Sequence, residues 1–140
     1  HIFSYILASE EIPQKITSAM LGISSDPIVV LMLINLALLV VGTFLDNAVA
    51  MVLLTPIFYP VISSIGIDPV FFGVIMVLGL AIGQITPPVG LCLFVACDIG
   101  KVTIEEISKE VVPWLIVLIL VLILVTFSPG MVMWIPNAMM

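Results

Sequence analysis

Charge is what this chain of 140 residues most lacks: Lys15, Lys101 and Lys109 are its basic residues, nine positions are acidic, and 9% are charged against 63% hydrophobic. A soluble domain carries about 25% charged and 45–50% apolar residues, so that class is excluded. Three lysines make neither a nucleic-acid surface nor a polybasic lipid anchor. Histidine is nearly absent too, and with His1 alone there is no Ser/His pair for intramembrane hydrolysis. The two cysteines, Cys92 and Cys97, are five apart, which turns them about 140° from each other on a helix. They form neither a metal pair nor a redox CxxC and read as small apolar membrane residues. The polar-apolar alternation at about ten-residue spacing that marks barrel strands is missing as well.

What is present are uncharged apolar runs over 27–45, 47–67, 69–97 and 111–140, each close to or beyond the ~20 residues that cross a hydrocarbon core as helix. The expectation is an all-α integral membrane protein whose solvent is the lipid bilayer. Eight of the nine acids lie between or beside these runs, and only Asp46 interrupts one, within Gly42-Thr43-Phe44-Leu45-Asp46-Asn47. A charge in a bilayer costs roughly 2.5–3.5 kcal/mol on insertion scales, so it persists mainly beside an ion, a partner or a polar cavity. Capping of a helix that begins at Asn47 is the plainer role for the same carboxylate. A second polar interruption, Gln84-Ile85-Thr86-Pro87-Pro88-Val89-Gly90, cuts the next run at similar depth. As an external loop it would leave an arm over 91–97 too short to cross. Two membrane segments broken at mid-run point to a transporter binding site.

In chain order, the opening has no initiator Met, basic n-region or signal cleavage pattern. It reads as the tail of a helix already under way, so the chain is expected to be the C-terminal part of a longer protein, with His1 a mere boundary residue. Residues 9–26 form a polar connector in which Ile12, Ile16, Met20 and Ile23 recur at helical spacing, as in an interfacial amphipathic helix. Asp26-Pro27 supplies an N-cap and a proline at the first helical position, and Asp68-Pro69 repeats that device 42 residues later. The result is a weak internal pattern of cap, apolar arm, polar break and second arm.

An arm over 27–41 would rise only about 22 Å, so a re-entrant hairpin over 27–65 that turns back at Asp46 competes with a continuous span. Pro56 and Pro60 should bend the returning arm. A broken helix over 69–98 follows, with Gly79 and Gly83 spaced for close helix packing. Thr103-Ile104-Glu105-Glu106 is a capping box with Val102 and Ile107 as its staple. Lys101 and Lys109 place 98–110 in the cytoplasm. The last span, 111–136, carries Trp114 and Trp134 as interfacial anchors at most about 30 Å apart, since Pro129-Gly130 should kink its end, and reads as scaffold.

The run Gly42-Thr43-Phe44-Leu45-Asp46, followed by Leu54-Thr55-Pro56-Ile57, Gly66-Ile67-Asp68-Pro69, Phe72-Gly73-Val74-Ile75-Met76 and Ile85-Thr86-Pro87-Pro88-Val89-Gly90, resembles the large membrane subunit of tripartite ATP-independent periplasmic (TRAP) transporters. The resemblance covers essentially the whole chain and lies in the combination of motifs. It implies the second inverted repeat of an elevator-type secondary transporter in the bacterial inner (cytoplasmic) membrane, multi-pass and not an enzyme. Its implied activity is sodium-coupled uptake of an organic acid, of the C4-dicarboxylate or sialic acid type. Implied partners are a small membrane subunit and a periplasmic substrate-binding protein.

Sodium, a hard cation, takes oxygen ligands, and unwound backbone and helix C-termini supply them. Gly42, Thr43, Asp46 and Thr86 are the expected sodium ligands. Helix N-termini near Asn47 and Gly90 favour a substrate carboxylate, which makes Asn47, Gln84, Pro88 and Gly90 the expected substrate-facing positions. For Gln84 and Thr55, satisfying local backbone is the simpler role, ahead of substrate contact. Two other classes compete. An aspartyl protease needs a second embedded aspartate, which this chain lacks. A structural or assembly subunit explains the spans but gives the two breaks no cause.

Overall fold

The computed structural model describes residues 2–140, so His1 lies outside the described residues. Eight helices follow one another: α1 (Ile2–Ser9), α2 (Ile12–Ile23), α3 (Pro27–Phe44), α4 (Asn47–Ser64), α5 (Pro69–Gln84), α6 (Leu91–Gly100), α7 (Ile104–Phe127) and α8 (Pro129–Met139). By length and composition α3, α4 and α7 can each cross a membrane.

Local chemistry starts these helices. Asp26, Asp46 and Asp68 stand before α3, α4 and α5, and each accepts a hydrogen bond from the backbone N–H two residues on: Ile28 at 3.0 Å, Ala48 at 2.9 Å and Val70 at 2.8 Å. Pro27 and Pro69 fill first-turn positions whose N–H would have had no partner. The capping box opens α7, with Thr103 Oγ1 accepting from the Glu106 N–H and the Glu106 carboxylate accepting from the Thr103 N–H at 3.0 Å.

Two boundaries differ from expectation, the extent of the first break and the start of the final helix, while the interruption expected at Pro129-Gly130 is present. The break expected over Gly42 to Asp46 is confined to Leu45 and Asp46, because Gly42 and Thr43 stay helical and the Leu45 N–H still reaches the Val41 carbonyl at 2.9 Å. With 18 residues, α3 rises about 27 Å, so shortness no longer argues for re-entrance. The final segment is divided. Its helix begins at Ile104, runs through Pro113 and stops at Ser128, where Pro129 opens α8. Trp114 and Trp134 therefore sit on different helices, since the residue before a proline is driven out of helical geometry.

The core lies along the contact of α3 with α5, where Val30, Ile34 and Leu38 meet Ile75 and Leu80 in one buried cluster. Phe58 of α4 sets its ring edge-on to Phe72 of α5, with centroids 6.5 Å apart. Leu115 and Leu122 join α7 to the same cluster, and α2 packs on α4 with Met20 against the core. Lipid tails are as apolar as leucine, so association here depends on close fit and not on escape from water. Small residues supply the fit: a Cβ on Gly79 would lie 3.0 Å from the Leu38 Cβ, and one on Gly83 would lie 2.8 Å from the Gly42 Cα.

Candidate functional site between two helix breaks

The same glycines bring the two breaks together. A Cβ on Gly42 would fall 2.7 Å from the Leu80 carbonyl oxygen and 3.2 Å from the Gly83 Cα, so α3 and α5 touch backbone to backbone just before each ends. Both helices thus direct C-terminal carbonyls into one region. At α3, no backbone N–H among the described residues beyond Leu45 returns to the last-turn carbonyls of Gly42, Thr43 and Phe44. At α5, the N–H groups of Ile85 and Thr86 close the helix onto Ile82 and Gly83, after which Pro87 and Pro88 have none to give. The Gln84 and Thr86 carbonyls then converge on Gly90, where a Cβ would be 2.9 and 3.1 Å from their oxygens. Gly90 has φ 38° and ψ 95°, a left-handed backbone that also favours glycine. Its own carbonyl accepts from the Leu93 N–H at 2.8 Å and opens α6.

A groove of about 340 Å³ separates the ends, lined by Leu36, Leu39, Val40, Thr43, Phe44, Thr86, Pro87 and Pro88. Thr43 and Thr86 each donate a hydroxyl hydrogen to the carbonyl four residues back, Leu39 and Ile82, both at 2.8 Å. Their oxygen lone pairs stay free to accept or to ligate. Two helix C-termini carry a partial negative charge of about half an electron each, and the N-termini of α4 and α6 beside them carry the opposite sign. Cation and anion can therefore be met within one site. Among the described residues no group of three His, Cys, Asp or Glu side chains gathers. The available donors are backbone carbonyls and hydroxyls, which suit a hard monovalent or divalent cation and not a thiophilic one.

Of the residues singled out from sequence, Thr43, Thr86 and Pro88 share the groove, with Gly42 buried behind it at the helix contact. Gly90 is buried beside the Gln84 and Thr86 carbonyls, and the Gln84 side chain accepts from the Cys92 thiol across the break at 3.6 Å. Asp46 is exposed and caps α4, outside the groove lining. Asn47 begins α4 with its Oδ1 buried and without a hydrogen-bond partner.

One polar residue escaped the sequence reading. Asn35, in the middle of α3 and 4% exposed, donates from Nδ2 to Thr126 Oγ1 of α7 at 2.8 Å. Thr126 in turn donates to the Leu122 carbonyl, while Asn35 Oδ1 has no partner. An uncharged amide within an apolar run was the available signal. The bond ties α7 to α3.

A model of the family described as "Tripartite ATP-independent periplasmic transporter, DctM component" matches residues 1–131. The isethionate TRAP transporter permease protein DctMQ of Oleidesulfovibrio alaskensis is 46% identical over 133 residues, which is 95% of this chain and 21% of that protein. The sialic acid TRAP transporter large permease protein SiaM of Vibrio cholerae is 41% identical, over 97% of this chain and 32% of its own length. The C4-dicarboxylate TRAP transporter large permease protein DctM of the same organism is 40% identical, over 99% and 31%. The chain belongs to the DctM family of TRAP transporter membrane components. It spans about a fifth to a third of the length of these relatives.

Proposed function

We propose that the protein containing this chain takes up an organic acid by sodium-coupled secondary transport across the bacterial inner membrane, with the two helix breaks as its half of the binding site. The observation that carries this reading is the meeting of the α3 and α5 C-termini at Gly42 and Gly83, beside the N-termini of α4 and α6. Relatives named for isethionate, sialic acid and C4-dicarboxylates support an anionic organic solute.

Sodium, when bound, supplies the positive charge that the convergent carbonyls attract. Gly42, through its carbonyl, and Thr43 and Thr86 would hold it, joined by Asp46 only if its carboxylate does more than cap α4; Asn47, Gln84, Pro88 and Gly90 face the acid. Asn47 Oδ1, buried and unpartnered, is an acceptor for a protonated or hydroxylated part of the solute. Pro87 and Pro88 keep the second break unwound, and Gly90 leaves its carbonyls uncovered.

In the full assembly α3 and α4 form the re-entrant hairpin, and α5 and α6 the broken helix, of the second inverted repeat. They move by an elevator motion, with a small membrane subunit and a periplasmic substrate-binding protein as partners. Residues 98–110 then face the cytoplasm. No catalytic residue enters this reading.

A specific observation favours a second role for Asp46: its carboxylate already accepts the Ala48 N–H, so a cap alone explains it. The reading as a whole is tested by Thr86→Cys in the full-length transporter lacking Cys92 and Cys97. The thiol should react with a small water-soluble reagent at a rate that sodium or solute changes. Inertness under every condition, or uptake indifferent to a sodium gradient, would overturn it.

A further inference from the structure

We propose that the groove between the two breaks reads the uncharged skeleton of the solute, with the acid group held outside it, so that the solute is a monoacid in preference to a dicarboxylate. This deepens the transport reading above and rests on it. What the lining residues can offer carries the inference. Their hydrogen-bond donors are all engaged. The five lining residues from α3 have their N–H groups inside that helix, where the ladder uses them. The Thr86 N–H reaches the Gly83 carbonyl at 3.0 Å, and Pro87 and Pro88 have no N–H. Both threonine hydroxyls donate to carbonyls four residues back. No basic side chain among the described residues lines the groove; the lysines stand at 15, 101 and 109.

Acceptors are what remain. Thr43 and Thr86 keep oxygen lone pairs free, and the C-terminal ends of α3 and α5 add partial negative charge. A carboxylate or sulfonate set among these groups would be repelled and left without a donor, which is unfavourable at membrane depth. A cation, a hydrocarbon surface and a solute hydroxyl all suit the same surroundings.

The walls supply the hydrocarbon surface. Leu36, Val40 and Phe44 recur every fourth residue, so they form one apolar stripe along α3, and each is more than half exposed. The rings of Pro87 and Pro88 come from the other break. The solute, and not a lipid tail, is the occupant because this stripe runs into the Thr43 and Thr86 oxygens and the last-turn carbonyls of α3, to which no described N–H beyond Leu45 returns. Such backbone is tolerated at membrane depth only against protein or a water-filled cavity.

The test measures how butyrate, hexanoate and succinate protect the detergent-solubilised full-length transporter against thermal unfolding, with and without sodium and in the absence of any binding protein. Butyrate should reach half-maximal protection at a concentration about tenfold or more below succinate, whose second carboxylate finds no donor in the groove. Val40→Lys supplies a cation there and should reverse that order. Phe44→Ala changes an exposed position outside the core, so it tests the groove even where a lysine is not accommodated. It should shift the preference from butyrate to hexanoate. Succinate protecting the wild type as well as butyrate does, no protection by any of the three, tighter butyrate binding in Val40→Lys, or an unchanged preference in Phe44→Ala would each overturn the proposal. The transport reading fails separately. Butyrate protection indifferent to sodium would sink the sodium coupling and leave the groove's preference standing, whereas sodium-driven uptake by a wild type that succinate protects best would sink this proposal alone.

Discussion

Gly83→Ala is the perturbation whose consequence is most sharply set by geometry. The added Cβ would stand 2.8 Å from the Cα and carbonyl carbon of Gly42 and from the Leu39 carbonyl oxygen. Carbon contacts are comfortable at about 3.5 Å, so α3 and α5 must part by roughly 0.7 Å. All three obstacles are backbone, and no side chain can swing aside to absorb the change. Alanine in a helix interior is otherwise favoured over glycine by about 0.8–1 kcal/mol, while overpacking costs about 1–3 kcal/mol. The expected net loss is on the order of 1 kcal/mol. Gly73→Ala in the same helix is the control, because no atom lies within 4 Å of its Cβ position and only the helix preference should act. Thermal unfolding of the detergent-solubilised full-length transporter should rank Gly73→Ala at or above wild type and Gly83→Ala below it. Separation of the two C-termini should also weaken sodium's protection against unfolding, which depends on native-state binding, and reduce uptake about tenfold or more. If Gly83→Ala matches Gly73→Ala in both measurements, the helix contact does not organise the site.

Asp46→Asn preserves a side-chain oxygen for the Ala48 N–H, and Asn caps about as well as Asp, so stability should hold within about 0.5 kcal/mol. If Asp46 ligates sodium, sodium-driven uptake should fall sharply; unchanged uptake and sodium dependence would leave it a cap. Thr126→Val strips the acceptor from the buried Asn35 amide and should cost about 1–3 kcal/mol in thermal stability, whereas Asn35→Leu also removes the orphaned Oδ1 and should cost less. Equal losses in the two variants would mean that this hydrogen bond is not what joins α3 to α7. Thr103→Ala breaks the capping box and should destabilise the start of α7 by about 0.5–2 kcal/mol, read as faster amide exchange over its first turn, with unchanged exchange refuting it.

The sequence alone was enough for whatever depends on neighbours within about four residues or on composition. Membrane character follows from the apolar runs. The aspartate caps at 26 and 68, the capping box at 103 and the unwinding at Pro87 and Pro88 are each formed by a side chain and backbone groups close in the chain, so their residue types announce them. Even the close-packing role of Gly79 and Gly83 was readable from their spacing, though their partners were not.

Tertiary structure decided what depends on how helices are rotated and crossed. It set Gly42 against Gly83, joined Asn35 to Thr126 across 91 positions, and extended α3 through Thr43 so that this hydroxyl meets Thr86 across a groove. It also chose which face of α4 stays uncovered. A nearly uniform apolar run gives α4 little periodic signal for that choice. The face is set by the fit of Phe58, Val61 and Ile62 into the core, a contact between elements that no local pattern encodes.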